Sequence, residues 1–80
     1  MKKFEKINAR GMFENLGFKK IYSILDDACY FNKKDNVRIR FHQTEYGNCV
    51  LIEDDCHMAS FITINEIQAI NKQFEELGWK

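Results

Sequence analysis

The chain contains no proline and only four glycines among its 80 residues. These absences exclude a collagen-like helix, a proline-rich recognition segment and a flexible linker. Long apolar runs are also missing: they reach only three or four residues, as at residues 28–31, whereas a helix that crosses a bilayer needs about 20. Because no apolar run of signal-peptide length follows Met1, we expect neither a secretion signal nor a contact with membrane.

The chain has three cysteines, Cys29, Cys49 and Cys56. Because this number is odd, they cannot all form disulfides within one chain. An odd number of cysteines without a secretion signal is typical of reduced thiols in a cytosol. We therefore expect a cytoplasmic location.

An excess of charge of one sign is missing as well, since 12 basic and 12 acidic side chains cancel. This balance argues against the basic surface of a typical nucleic-acid binder. The two halves nevertheless differ: residues 1–40 carry ten basic and five acidic side chains, and residues 41–80 carry two and seven. Either the halves attract each other within the fold, or they form two surface patches of opposite sign.

Apolar residues make up 45% of the chain and aromatic residues 14%, a composition that folds. At this length we expect one domain over residues 1–80. Residues 3–16 favour a helix of about two turns that ends before Gly17, with Phe4, Ile7, Met12 and Leu16 near one face. In this pattern Phe13 only flanks the apolar face.

A period of two predicts strands from residue 18 onward. The predicted strands cover residues 18–23, 28–32, 37–42 and 49–53, and residues 60–62 form either a short fifth strand or an extended lead-in. Because the connections are short, neighbouring strands are expected to be antiparallel, as in a meander.

A C-terminal helix is the most regular element of the sequence. Thr63 and Glu66 have the spacing of a capping box, and Gly78 follows the last apolar position. The predicted fold is therefore α+β: a short N-terminal helix, an antiparallel meander of about four strands, and a C-terminal amphipathic helix packed on the sheet. The predicted core consists of Ile21, Ile39, Phe41, Ile52, Ile64, Ile67, Ile70, Phe74 and Leu77. Such a core is modest, so dimerisation through an uncovered face or edge of the sheet is reasonable.

Residue types that bind metal or attack substrates are present, but their spacing is poor. The candidates are Cys29, His42, Cys49, Cys56 and His57. Structural zinc sites use pairs of ligands two to four residues apart, whereas Cys56 and His57 are adjacent. As a nucleophile and its base, Cys56 and His57 also lack a surrounding glycine-rich loop that could stabilise an oxyanion. Residues 53–55 are three consecutive carboxylates without the glycine of a calcium loop. We predict no metal, no cofactor and no catalytic residue, and therefore no enzyme.

An anionic ligand, either a nucleic acid or a nucleotide, is one candidate partner. Arg38, Arg40 and His42 alternate on one face of a predicted strand, about 7 Å apart, which is close to the spacing of phosphates along a nucleic acid. Lys33 and Lys34 lie in the preceding turn, and an aromatic side chain at position 30 or 31 offers a stacking surface. The alternative is a solvated face on which Arg38 and Arg40 pair with Glu53 or Glu45.

A protein is the other candidate partner. Glu75 and Glu76 form part of an acidic surface, and Tyr46 and Trp79 are candidate exposed anchors. The alternative for Trp79 is that it folds back onto the helix after Gly78, as hydrophobic residues in that position commonly do.

Two segments, residues 12–21 (MFENLGFKKI) and residues 62–79 (ITINEIQAINKQFEELGW), carry a resemblance. They resemble small uncharacterised proteins of phages and prophages in low-GC Gram-positive bacteria, which share the LG-aromatic-KK opening and the ending in ELGW. The similar segments cover about a third of the chain. The resemblance implies a phage accessory setting, where small proteins bind a host protein, a nucleic acid or a nucleotide signal; it implies no site residues.

The sequence thus predicts a non-enzymatic binding or regulatory protein that acts through protein–protein contact. Its expected partner is a host or phage protein or a second copy of itself, and an anionic ligand on the face of Arg38, Arg40 and His42 is the alternative.

Overall fold

The computed structural model describes residues 8–54 and 62–79. Within these residues the chain forms two helices and four strands. In chain order they are α1 (Ala9–Asn15), β1 (Lys19–Lys20), β2 (Ala28–Asn32), β3 (Val37–Thr44), β4 (Gly47–Asp54) and α2 (Ile64–Leu77). The strands form one antiparallel sheet in the order β1-β2-β3-β4, so the predicted α+β fold is confirmed.

The first helix is short and well capped. The side chain of Asn8 accepts a hydrogen bond from the N–H of Gly11 at 2.7 Å, which satisfies one of the donors left free in a first turn. The helix ends before Gly17, whose φ of 94° is one that glycine adopts without strain. The prediction of about two turns before Gly17 is confirmed, whereas residues 3–7 of the predicted helix lie outside the described residues. Phe13 is fully buried, so its predicted position at the flank of the apolar face is wrong.

The strands differ from the prediction mainly at their ends. β2 has the predicted bounds, and β3 and β4 continue to their turn, where Thr44 pairs with Gly47. β1 is shorter than the predicted strand over residues 18–23, because only Lys19 and Lys20 pair with β2. Ile21 still donates a backbone hydrogen bond to Cys29 of β2. The residues after it leave the sheet, and Asp26 among them contacts Arg40 on one of its faces. Positions 60 and 61 of the possible fifth strand are not among the described residues.

The second helix begins with the predicted capping box. Thr63 accepts a hydrogen bond from the N–H of Glu66 at 3.1 Å, and the Glu66 carboxylate accepts one from the N–H of Thr63 at 2.8 Å. Gly78, with a φ of 76°, ends the helix. The N–H of Trp79 then donates to the C=O of Phe74 at 2.9 Å, which is the reversal expected of a glycine-terminated helix.

Both helices pack against the same face of the sheet, which we call the helix face. Phe13 of α1 stacks on Tyr30, and Phe74 of α2 meets the ring of Phe41 edge-on. Burial raises the pKa of Tyr30 to about 12, so its hydroxyl stays protonated and donates to the Gln73 side chain. The buried apolar cluster consists of Ala9, Phe13, Phe18, Ala28, Tyr30, Ile39, Phe41, Ala69 and Ile70.

Part of the predicted core is wrong. Ile64 is 72% exposed, Ile67 42% and Ile52 44%. The two isoleucines of α2 lie in its first turns, whereas the buried residues of that helix, from Ala69 to Gln73, lie further along it. Ile52 is exposed because β4 is an outer strand and the aromatic contacts of the helices are made to β2 and β3.

Candidate functional site on the open face of the sheet

The opposite face of the sheet, which we call the open face, carries the polar side chains. Side chains alternate between the two faces along a strand, so Arg38, Arg40 and His42 of β3 lie on the face opposite Ile39 and Phe41. The register lines up one row across three strands, Phe31, Arg38 and Glu53, and a second row, Cys29, Arg40, Leu51, beside it. His42 and Cys49 form a third pair on this face.

A buried carboxylate organises the open face. Asp26 lies in the connection between β1 and β2, and its side chain is only 1% exposed. One of its oxygens, Oδ2, accepts hydrogen bonds from the Ser23 hydroxyl at 2.6 Å and from Arg40 Nε at 3.0 Å. Arg40 also donates to the carboxylate of Glu53 at 3.0 Å, so this guanidinium joins two acidic side chains from distant parts of the chain.

The charges in this cluster shift each other's pKa values. Burial alone would raise the pKa of the Asp26 carboxyl, but the hydrogen bonds from Ser23 and Arg40 and the positive charge of Arg40 outweigh it and lower that pKa. The hydrogen bond to Asp26 in turn raises the pKa of Arg40. Asp26 is therefore ionised at neutral pH, although it is buried.

The His42 side chain contacts the backbone of the connection between β1 and β2. Its Nδ1 lies 2.8 Å from the C=O of Leu25, and because a carbonyl only accepts, this nitrogen carries the hydrogen. The same nitrogen lies 3.3 Å from Oδ1 of Asp26. That oxygen is buried, and among the described residues it has no hydrogen-bond partner. His42 thus places a polar N–H beside an otherwise unpaired anionic oxygen.

Residues 21–27, which we call the bridging loop, are hydrogen-bonded to the sheet and present large apolar side chains to solvent. Ile21 and Asp27 donate backbone hydrogen bonds to the sheet at 2.9 Å and 2.8 Å. Between these two anchors the chain presents three large side chains to solvent: Tyr22 is 88% exposed, Ile24 80% and Leu25 68%.

A cleft of about 330 Å³ lies where the bridging loop meets the open face. Its lining combines an apolar part with two guanidinium groups; the lining residues are Ile21, Tyr22, Ser23, Asp26, Cys29, Arg38 and Arg40. Arg38 lies over the ring of Phe31, 5.5 Å from its centre, and its nearest contact with Glu53 is 3.9 Å. Arg38 is therefore less tightly held than Arg40 and about half exposed.

The predicted anionic-ligand residues are brought only partly together. Arg38, Arg40 and His42 share the open face as predicted from their alternation. Arg38 and Arg40, however, both pair with Glu53, as the paired alternative predicts. Arg40 is also engaged by Asp26, and His42 by the Leu25 carbonyl. Lys33 and Lys34 are exposed in the β2–β3 turn and, within residues 8–54 and 62–79, form no ion pair.

The predicted protein-interface residues differ in how exposed they are and in what they contact. Tyr46 is 92% exposed in the β3–β4 turn. Trp79 packs on the rings of Phe41 and Phe74, at 6.3 Å and 5.9 Å between ring centres, so the fold-back alternative describes it. Glu76 accepts a hydrogen bond from the N–H of Ala9 at 2.7 Å and so joins the two helices.

Glu75, the last of the interface residues, is exposed, and its carboxylate lies 3.4 Å from Nζ of Lys72. Of the four candidates, Tyr46, Glu75 and Glu76 are thus exposed, and Trp79 is partly buried.

Among the described residues, Cys29, His42 and Cys49 do not form a metal-binding cluster. Cys29 and Cys49 are free thiols on β2 and β4, which are separated by β3. Burial, followed by the nearby Asp26 carboxylate, raises the pKa of the Cys29 thiol, which makes it less reactive. In the part of the chain that the structure describes, no three metal-binding side chains cluster. Cys56 and His57 lie outside that part.

Sequence reasoning missed Asp26 and the exposed side chains of the bridging loop. The available signal was the break in the period of two at residues 24 and 25, followed by two aspartates. A serine three residues before the first aspartate is a further local cue for a side-chain-bonded turn.

Comparisons of this chain with protein-family models, with curated proteins and with solved structures found no match. Neither of the helices described here has the length and apolar character needed to cross a membrane.

Proposed function

We propose that this protein is a non-enzymatic, cytosolic binding module that acts through contact with another protein. The observation that carries the proposal is the bridging loop, on which Tyr22, Ile24 and Leu25 are exposed while the side chain of the next residue, Asp26, is buried and paired. Large apolar side chains grouped on a surface are typical of a protein-binding site.

The conformation of the bridging loop supports the same proposal. A loop that is ordered before binding loses less entropy in the complex than a mobile one. Here the Asp26 carboxylate, the Leu25 carbonyl and two backbone hydrogen bonds hold the loop against the open face. The three apolar side chains therefore start from a common, restrained backbone.

The surroundings of the loop indicate the chemistry of the partner. Lys19 and Lys20 are exposed on β1 immediately before the loop, and Arg38 is half exposed in the adjoining cleft. A partner segment that carries a large apolar side chain beside a carboxylate complements this combination. Its apolar side chain would contact Ile24 and Leu25, and its carboxylate would approach Arg38.

The setting we propose is that of a phage or prophage accessory protein whose partner is a host or phage protein. It rests on the resemblance of residues 12–21 and 62–79 to such proteins. The loop and cleft are compatible with that setting but independent of it.

A second candidate function is the binding of an anionic ligand, a nucleic acid or a nucleotide. It is favoured by Arg38, which lies over Phe31, and by the exposed Lys33 and Lys34 nearby in the turn. The position of Asp26 beside Arg40 and His42 argues against it, since this carboxylate takes up one of the Arg40 donors and its negative charge repels a phosphate.

Selection of peptides from a random library on the immobilised protein tests the proposal. We expect enrichment of peptides that pair a large apolar residue with Asp or Glu. The double substitution Ile24→Asp and Leu25→Asp should weaken their binding about 30-fold or more, as for a hot spot worth about 2 kcal/mol. The matched control is Tyr46→Asp, which changes an equally exposed aromatic residue in the β3–β4 turn and should leave binding intact.

Fluorescence anisotropy with a single-stranded oligonucleotide separates the two candidates. Two results together would favour the anionic ligand over the protein partner. The oligonucleotide would bind at low salt and lose that binding in Arg38→Glu, and the peptide selection would enrich no acidic peptides. Peptide binding that survives the double substitution in the loop would reject the bridging loop as the site.

A further inference from the structure

The sheet has two edges, which differ in length and in charge. β1 has two residues, both lysines, and short lysine-bearing strands are protected against pairing with other strands. β4 has eight residues, contains no proline, and carries no charge over residues 47–52. No strand within residues 8–54 and 62–79 pairs with the outer side of β4. A long uncharged edge of this kind is a template for a further strand.

The backbone groups of β4 that point outward can be assigned from the ladder. The C=O of Phe41 accepts a hydrogen bond at 2.8 Å from the residue that precedes β2, so the peptide groups of Phe41 point toward β2. Because this direction alternates along an antiparallel strand, those of Arg40 point toward β4, where Leu51 is the partner. The peptide groups of Leu51 are thus used inside the sheet, whereas those of Val50 and Ile52 point outward.

The side chains of β4 match a second copy of the same strand. A two-fold axis perpendicular to the sheet pairs residues that share a face, and with Leu51 opposite Leu51 it places each Val50 opposite an Ile52. Val50 and Ile52 then form the hydrogen-bonded pairs, with their outward N–H and C=O groups facing each other. Leu51 and Ile52, which are 39% and 44% exposed, lose their exposure on opposite faces of the joined sheet.

Charge favours the same register. Like charges directly opposite each other destabilise a pair of strands. With Leu51 on the axis, Glu53 lies opposite Cys49 and Asp54 lies opposite Asn48, so each carboxylate of β4 faces an uncharged residue.

We propose that two copies of this chain associate through their β4 strands, antiparallel and with Leu51 on the two-fold axis. The described strands of the two copies then form a continuous eight-stranded sheet with their four described helices on one face. The surface used is separate from the bridging loop, so the dimer and the proposed contact with a partner protein can be tested independently of each other.

Light scattering coupled to size-exclusion chromatography tests the association. The mass should rise with concentration from 9.5 kDa toward twice that value. Ile52→Lys adds a charge on the outer strand without removing a hydrogen bond to β3, and it should remain monomeric at concentrations where the wild type is dimeric. Ile24→Lys, an equally drastic change at the exposed bridging loop, is the matched control and should still dimerise. A wild type that stays monomeric at every concentration, or an Ile52→Lys variant that dimerises like the wild type, overturns the proposal.

Oxidative cross-linking tests the register. Residue 51 on the axis forms a pair without hydrogen bonds, in which the two Cα atoms lie about 4.5 Å apart, within the range that a disulfide spans. Leu51→Cys should therefore give a disulfide-linked dimer under mild oxidation, well above the background of the native cysteines. Tyr46→Cys is more exposed but lies outside the paired segment, so it should not exceed the background. Equal cross-linking of the two variants would indicate random collision and reject the register.

Discussion

The two faces of the sheet are built from alternate residues of the same strand. Ile39 and Phe41 of β3 are buried under the helices, whereas Arg38, Arg40 and His42 face the other way and meet carboxylates. Burial of apolar surface is favourable in many orientations, but an ion pair requires a particular geometry. The helix face therefore supplies most of the stability, and the open face determines where the bridging loop lies.

The largest effect is expected on the helix face, at Phe41. Its ring contacts those of Phe13, Tyr30, Phe74 and Trp79. Truncation in Phe41→Ala leaves a cavity among these rings, and we expect it to reduce the free energy of unfolding by about 3–5 kcal/mol. Urea denaturation followed by Trp79 fluorescence measures this change.

A loss of that size approaches the whole stability of a small domain, so the truncated variant is liable to be unfolded in buffer. Phe41→Leu, which keeps most of the volume, should then fold with a loss of about 1–1.5 kcal/mol. A loss well below 1 kcal/mol in Phe41→Ala would contradict the position of Phe41 at the centre of the core.

The open face is tested by Asp26→Asn, which keeps the shape and removes the charge. We expect a loss of about 2 kcal/mol, below the usual 3–5 for a broken buried pair, because Arg40 retains Glu53. Hydrogen exchange should show faster exchange of the Asp27 N–H, which is bonded to the sheet, while the β3–β4 ladder stays protected. Asp27→Asn, an exposed neighbour, is the matched control and should change neither quantity.

The same substitution reveals a pH dependence whose sign follows from the lowered pKa of Asp26. A carboxyl with a lower pKa in the folded state than in the unfolded state stabilises the fold above its unfolded pKa and ceases to do so as the pH falls through its folded pKa. The difference in stability between wild type and Asp26→Asn should thus be full above the ordinary value of 3.8 and shrink below it. A difference that grew on acidification would contradict the pairing with Arg40.

How much was predictable from sequence differs between the two faces. The sequence predicts the bounds of β2 and the capping box of α2 correctly, because both depend on residues within a few positions of each other. In the capping box these residues are Thr63 and Glu66. The contacts of Asp26 with Arg40 join residues 14 positions apart, and their register depends on where β2 and β3 pair. No local pattern specifies such a contact. The exposure of Ile52 is not predicted for a related reason. The alternation of apolar and polar residues along a strand identifies which face a side chain lies on, but it does not show how many strands of that face the helices cover.

The smallest effect is expected at Glu53, the second carboxylate on Arg40. Its hydrogen bond to Arg40 is as short as that of Asp26, 3.0 Å in both cases, but its side chain is 47% exposed whereas that of Asp26 is 1% exposed. Solvent screens an exposed pair, so Glu53→Gln should cost about 0.5 kcal/mol or less, and the cost should fall further in high salt. The urea measurement used for Asp26→Asn compares the two directly. If Glu53→Gln cost as much as Asp26→Asn, burial would not be what distinguishes the two carboxylates, and the open face would depend on charge alone.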